Sequence, residues 1–300
     1  MDVVTITSFR RARTREDLAL APGEAVMAGG TWLMSEPQPR TTGFVDLTTM
    51  GWPDVEVSEA GLRIGATCTI ETLVEWARGA ATPRTAALPP APADWCALDL
   101  ASRAANALLA SFKIWATATV GGNVCQSFAA AAMVSFAAGL DGVAHCWAAD
   151  GTDRRLPVAD LITGNARNAL RPGEVLRAVE IPAIALRART SLHKIALAEL
   201  GRSGAVVTGR LETPADGGGV VIGITAATRT PVLLRYDALP SADALRRDVE
   251  AAPGYYSDPL GPADWRRAVS AVLALRVRED LAGGPGSSGG AVGSGTRVAA

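Results

Sequence analysis

Two stretches of this chain set a pair of glycines directly after a short apolar or β-branched run: "VMAGGTWLM" at 26–34 and "ATATVGGNVCQS" at 116–127. Consecutive glycines let neighbouring backbone N–H groups turn into one concavity, and without Cβ atoms a bulky anion approaches the main chain closely. Such a nest binds a diphosphate without lysine or arginine. One glycine pair is an ordinary turn. Two, some ninety residues apart, suggest two loops closing on one ligand. "AGGTWL" is not G-x-G-x-x-G, and Pro37 and Pro39 in the following "MSEPQPR" exclude a helix there, so the dinucleotide mode with pyrophosphate at a helix N-terminus does not apply. "TVGGN" is read as a strand edge, with the next helix beginning several residues on, and neither stretch fits a Walker A loop.

Other chemistry has little material. Cys68, Cys96, Cys125 and Cys146 stand apart, without C-x-x-C spacing, which argues against an iron–sulfur or zinc site within the chain and fits a reducing cytoplasm. Cys125 is read as an inert buried thiol. His145 and His193 are the only two histidines, no Ser-His-Asp set is apparent, and no carboxylate pair has a reason to act as acid and base. Glu174 and Glu180 fall on a strand register that predicts exposure.

The elements that must position the loops follow from periodicity. Strands are predicted at 2–6, at "EAVM", in "FVDLTTM" (44–50) and in "GLRIGATCTI" (61–70). Thr14 is placed to cap a helical "EDLALA" with Asp17 three residues on, and Thr69 to cap a helix whose Ile70, Leu73, Val74 and Ala77 share one face. The four prolines of 80–93 predict a loop. Leu98, Ala101, Ala105 and Leu108 form one helical stripe, and Met133, Phe136, Ala137 and Leu140 another. A hairpin is expected around Asp150-Gly151, then a strand at 174–182 closed by Pro182. Three strand-like runs follow, "TSLHKIALA", "AVVTGRLE" and "GVVIGITAAT", and then helices at 241–251 and 264–281, the second with Trp265, Val269, Val272 and Arg276 along one side. Residues 283–300 are Gly/Ser-rich and predicted disordered.

Three hundred residues with 48% hydrophobic and 20% charged residues describe a soluble globular protein with room for two or three subdomains. A formal net charge of −1 gives no reason to expect nucleic acid or anionic lipid. No apolar run has the length of a membrane span, and the tandem arginines near the N-terminus lack the apolar stretch of a secretory signal. Strands and helices intersperse without a βαβ rhythm, which predicts α+β.

The blocks "AGGTWL" (28–33), "FVDLTTM", "LRIGATCTIETL" (62–73), "ATVGGNV" (118–124) and "LRPGEVLRAVEIP" (170–182), in this order and spacing, resemble the FAD-binding (medium) subunit of molybdenum hydroxylases, the group of xanthine dehydrogenase and aerobic carbon monoxide dehydrogenase. The resemblance runs over about residues 2–282. It implies an α+β fold of the vanillyl-alcohol-oxidase/para-cresol-methylhydroxylase type: a two-lobed FAD-binding domain over 1–180 (lobes about 1–55 and 56–180), then a C-terminal α+β domain over 181–282. It also implies that Ala28, Gly29, Gly30, Thr31, Trp32 and Leu33 wrap the FAD diphosphate from one side and that Thr119, Val120, Gly121, Gly122 and Asn123 approach from the other. Leu176 is then expected near the flavin or adenine ring, and Lys194 near the isoalloxazine. The implied function is electron transfer: a molybdenum-cofactor large subunit oxidises substrate, [2Fe–2S] clusters of a small subunit carry electrons to FAD in this chain, and NAD, quinone or oxygen takes them away. No residue of this chain is expected to be catalytic.

The chain also departs from the family pattern. Trp32 stands where a common form has Asp, Ile114-Trp115-Ala116 replaces "I-R-N", and Phe128-Ala129-Ala130-Ala131-Ala132 replaces "S-P-x-x-D". Trp32 and Trp115 are read either as ring-stacking groups or as plain packing. Two other functions stay open: a non-catalytic scaffold on the same fold, and a self-contained flavin reductase or oxidase.

Overall fold

Short strands bounded by Gly, Pro and polar turns sort into four sheets. The computed structural model describes residues 4–107, 111–198 and 201–283. Strands β1 (Ser8–Arg11), β2 (Glu24–Met27) and β3 (Gly43–Asp46) form a parallel sheet in the order β1-β3-β2. A strand forms at 8–11, and residues 4–6 of the expected 2–6 strand are not part of one, because Ser8–Arg11 is the run that pairs residue for residue with Gly43–Asp46; residues 1–3 lie outside the described range. The expected helix over 16–21 is only a 3₁₀ turn, Glu16–Leu18, although the Asp17 carboxylate does accept from the Arg13 and Thr14 N–H groups.

The second sheet is antiparallel, in the order β4-β5-β10-β6-β7: β4 (Val55–Ser58), β5 (Gly61–Gly65), β6 (Val143–Ala148), β7 (Asp153–Pro157) and, after a two-stranded ribbon of β8 (Ile162–Gly164) and β9 (Arg167–Asn168), β10 (Glu174–Pro182). Helices α1 (Ile70–Ala77), α2 (Asp99–Ala107), α3 (Phe112–Trp115), α4 (Val120–Gln126), α5 (Ala132–Gly139) and α6 (Val158–Leu161) accompany it. Thr69 caps α1 as expected, its hydroxyl accepting from the Thr72 N–H at 3.1 Å. Helix α5 is buried on every side, so its period carried no amphipathic signal. Leu98, Ala101 and Ala105 are buried together; Leu108 lies outside the described residues.

The parallel sheet packs on the second through Leu18, Val45, Leu47 and Val175, fastened by a polar clamp. Arg177 lies between the Trp52 and Trp147 rings at 4.8 and 5.3 Å, and Arg15 covers Trp147 at 4.7 Å while donating to the Ala148 carbonyl.

After α7 (Ala183–Arg187) comes an antiparallel meander, β11 (Arg189–Ala196), β12 (Ser203–Leu211), β13 (Val220–Thr225) and β14 (Val232–Tyr236), covered by α8 (Ala242–Ala251) and α9 (Ala263–Ala282). The fourth strand was not anticipated; "VLLRY" is short and only half-buried at the sheet edge. The α9 stripe is also corrected: Ser270, Ala274, Val277 and Leu281 face the core, whereas Val272 is 47% exposed. The tail beyond Gly283 lies outside the described residues. Among the described residues no helix is long and apolar enough to cross a membrane.

Arg266 is the buried keystone of this last layer. It is fully buried and donates from Nη1 to the carbonyls of Gly204 and Ala226 at 2.6 Å, while Nη2 pairs with Asp258 at 2.5 Å. Arg266→Leu leaves those acceptors dry and unpaired, so it should lower unfolding free energy by about 3–5 kcal/mol. Urea denaturation measures this; a loss under about 1 kcal/mol would contradict the assignment.

Candidate functional site

A cavity of about 480 Å³ opens where the parallel sheet, the second sheet and α4 converge. That size and its mostly apolar lining suit a small-molecule or cofactor site. Ala28, Gly29, Gly30, Thr31, Trp32 and Leu33 all line it, facing Thr119, Gly121, Gly122 and Asn123, with Leu176 between. Eleven of the thirteen residues expected from the sequence are therefore brought together.

Two of the thirteen are placed elsewhere. Val120 is fully buried in the hydrophobic core and does not line the cavity. Lys194 sits on exposed β11, where Nζ donates at 3.2 Å to the Asn106 carbonyl in the last turn of α2, a position where a cation complements the helix dipole. The reading of 117–120 as a strand is also overturned. Only Thr119 is extended, in a single bridge to Thr69, and its hydroxyl then caps α4, which contains both glycines. β-Branched and glycine residues are poor helix formers, but packing overrides propensity here. A Cβ on Gly121 would lie 2.7 Å from the Ala66 carbonyl oxygen, so glycine lets α4 seat against the end of β5.

The other glycines divide the work. A Cβ on Gly29 would meet the Thr117 carbonyl oxygen at 1.9 Å, so this glycine permits the two loops to cross. Gly30 has φ +69°, a left-handed conformation that glycine adopts without strain. At Gly122 a Cβ would meet one atom only, Thr119 Oγ1 at 2.9 Å, so a side chain there must displace that hydroxyl.

The backbone donors are equally asymmetric. Along α4, the Val120 N–H bonds to Cys68 O, Gly121 to Ala66 O, Gly122 to Thr119 Oγ1 and Asn123 to Thr119 O. This first turn has no donor to spare. Along the opposite loop, by contrast, the N–H groups of Gly29, Gly30, Thr31, Trp32 and Leu33 find no acceptor among the described residues. Backbone donors left unpaired, four of the five on half-buried residues, call for a ligand or water. Asn123 contributes as well. Its Oδ1 accepts from the Met133 N–H at 2.8 Å, which fixes the amide orientation and leaves Nδ2 without a protein acceptor among the described residues.

These observations agree with the sequence comparison. Residues 10–184 match the family described as the FAD binding domain in molybdopterin dehydrogenase. The chain belongs to this family. In solved structures, its fold is similar to a chain of the reconstituted CO dehydrogenase from Oligotropha carboxidovorans, at 22% identity and TM-score 0.75 over 91% of this chain and 96% of that one. A chain of CO dehydrogenase from Hydrogenophaga pseudoflava matches at 16% identity and TM-score 0.74 over 92% of this chain and 97% of that one. Quinoline 2-oxidoreductase from Pseudomonas putida 86 gives 18% and 0.69 over 91% and 97%. No curated protein sequence matches significantly. The α+β architecture is thus that of a flavoprotein of the molybdopterin dehydrogenases.

The FAD-domain cavity contains residues that sequence reasoning passed over. Glu174, expected to be exposed, lines it with its side chain only 5% exposed, held by Arg154 through Nε at 2.9 Å and Nη2 at 2.5 Å. That pairing keeps the carboxyl below its ordinary range. Phe128 and Arg202 also line the cavity, and Trp32 meets the Phe128 ring edge-on at 4.7 Å. Arg202 carried no usable signal, since its position becomes meaningful only once the C-terminal sheet folds back. His145 is structural: Nδ1 accepts from Arg63 at 2.8 Å and Nε2 bonds Asp153 at 2.9 Å.

Cys125 lines the cavity, but burial, with Cys146 nearby, pushes its thiol up to about 12. Only about one in ten thousand such thiols is ionised at pH 8, and the thiolate is the nucleophile. Iodoacetamide at pH 8 should therefore label exposed Cys96 and spare Cys125, as read by peptide mass mapping. Comparable labelling of the two would show that Cys125 is accessible and reactive.

Proposed function

We propose that the cavity between the 28–33 loop and α4 seats FAD, and that this chain is the flavoprotein subunit of a molybdenum hydroxylase complex. The observation that carries the reading is the run of five unpaired backbone donors, Gly29 to Leu33, on one wall of an apolar cavity. Neutral amides at this density hold a diphosphate without a cluster of basic side chains. Opposite them Gly122 leaves room for the group, and the Asn123 amide and the Thr119 hydroxyl supply single polar contacts. Val175, Leu176, Val26 and Leu47 offer apolar surface for a planar ring. When bound, FAD supplies the redox chemistry, accepting and releasing electrons; the protein's part is to hold, orient and shield it.

The domain division follows the same logic, with residues 1–180 holding the cofactor and 181–282 closing over it. Electrons enter from [2Fe–2S] clusters in a small subunit, whose own donor is a molybdenum-cofactor large subunit, and leave to NAD, quinone or oxygen. The four free cysteines suit a cytoplasmic site for such a complex.

The purified chain should show bands near about 370 and about 450 nm that survive desalting after FAD is added. Gly122→Val should weaken FAD binding at least about tenfold, or 1.4 kcal/mol, while the chain stays folded, because valine is no worse than glycine in a helix and a new Cβ displaces only the Thr119 hydroxyl. Gly29 is the poorer choice, since its substitution pushes apart the loop crossing itself. A folded chain that stays colourless with FAD, alone and with its partner subunits, would leave only the scaffold reading.

A further inference from the structure

The C-terminal part of the chain reaches the cavity through a single side chain. Of the described residues lining it, only Arg202 lies beyond Pro182. The two residues that follow it are fastened. Ser203 Oγ donates to the Ala107 carbonyl at 2.9 Å, and Arg266 holds the Gly204 carbonyl at 2.6 Å. The guanidinium lies 5.5 Å from the Phe128 ring centroid, and Phe128 in turn packs against Trp32. Three segments distant in sequence thus build one stacked wall: the first glycine loop, the turn after α4 and the start of β12. Two of the three side chains, Trp32 and Phe128, occupy positions where the chain departs from the family pattern.

The charge balance of the cavity depends on this wall. Its only charged lining residues, among those described, are Glu174 and Arg202. Glu174 is already neutralised by Arg154. Arg202 makes no ion pair with a described residue, whereas Arg187, Arg210 and Arg266 each hold a carboxylate. A guanidinium fork matches phosphate oxygens in a bidentate way, and the attraction of the half-exposed Arg202 for an anion entering the cavity weakens as salt rises.

Resting on the FAD reading above, we propose that Arg202 is a phosphate-binding residue of the cofactor site. The Phe128–Trp32 stack presents its guanidinium to the diphosphate. The C-terminal sheet then does more than cover the cofactor: it supplies the one positive side chain among the described lining residues, against the neutral amides of the first loop.

The test is FAD affinity of the full-length chain by flavin fluorescence across a series of KCl concentrations, for the unaltered protein, Arg202→Gln and Arg202→Lys. Arg202→Gln should weaken binding at least about tenfold and flatten the salt dependence, and Arg202→Lys should restore part of both. Melting of the FAD-free proteins should agree within about 3 °C, since a merely structural role would move that temperature and not the salt slope. Unchanged affinity in Arg202→Gln, or a loss with an unchanged salt slope, overturns the assignment and leaves the FAD reading standing. An unaltered chain that takes up no FAD overturns both.

Discussion

The site depends on one close crossing, where Gly29 passes over the Thr117 carbonyl with no room for a Cβ atom. That contact brings a loop of the parallel sheet against the residues leading into α4. It also sets the width of the cavity between them. The crossing is held from behind by apolar packing of Leu18, Val45 and Leu47 on Val175, and by the stacking of Arg177 between Trp52 and Trp147. These interactions bury apolar area and a cation behind the crossing, and without them the two glycine loops would face open solvent instead of each other.

The two loops look alike in sequence and do different work. In one, backbone N–H groups are spent internally on Cys68, Ala66 and Thr119, so the turn is a rigid shelf. In the other, five consecutive donors are held in place with no acceptor among the described residues. An arrangement that leaves donors unpaired costs stability until a ligand completes it. Such a site suits a subunit whose chemistry is lent by a cofactor. Burial disfavours the nearby thiolate and the nearby carboxylate is paired, so neither competes with a bound group for protons.

Much of this was legible in the sequence. The glycine pairs, the Thr69 cap and the order of the blocks pointed to two loops that do meet at one cavity, and to the right family. What misled was local propensity: Thr117, Thr119, Val120 and two glycines argue against a helix, yet Gly121 fits against Ala66 and the Thr119 hydroxyl caps the turn. Lys194 was placed near the isoalloxazine by the resemblance, and its partner in the structure is a helix-end carbonyl that no local signal reveals. Arg202 and Glu174 were missed for a related reason. Their roles come from pairings across sheets, with Phe128 and Arg154, and the alternation of a strand does not encode those.

The most direct measurement is amide hydrogen exchange of the chain with and without FAD, resolved to single residues. The account predicts that Gly29 to Leu33 exchange fast in the free chain and slow markedly when FAD is bound. Val120 to Asn123, already bonded within the protein, should change far less. Protection appearing at 120–123 while 29–33 stay fast would contradict it, because the diphosphate would then sit on the wrong wall.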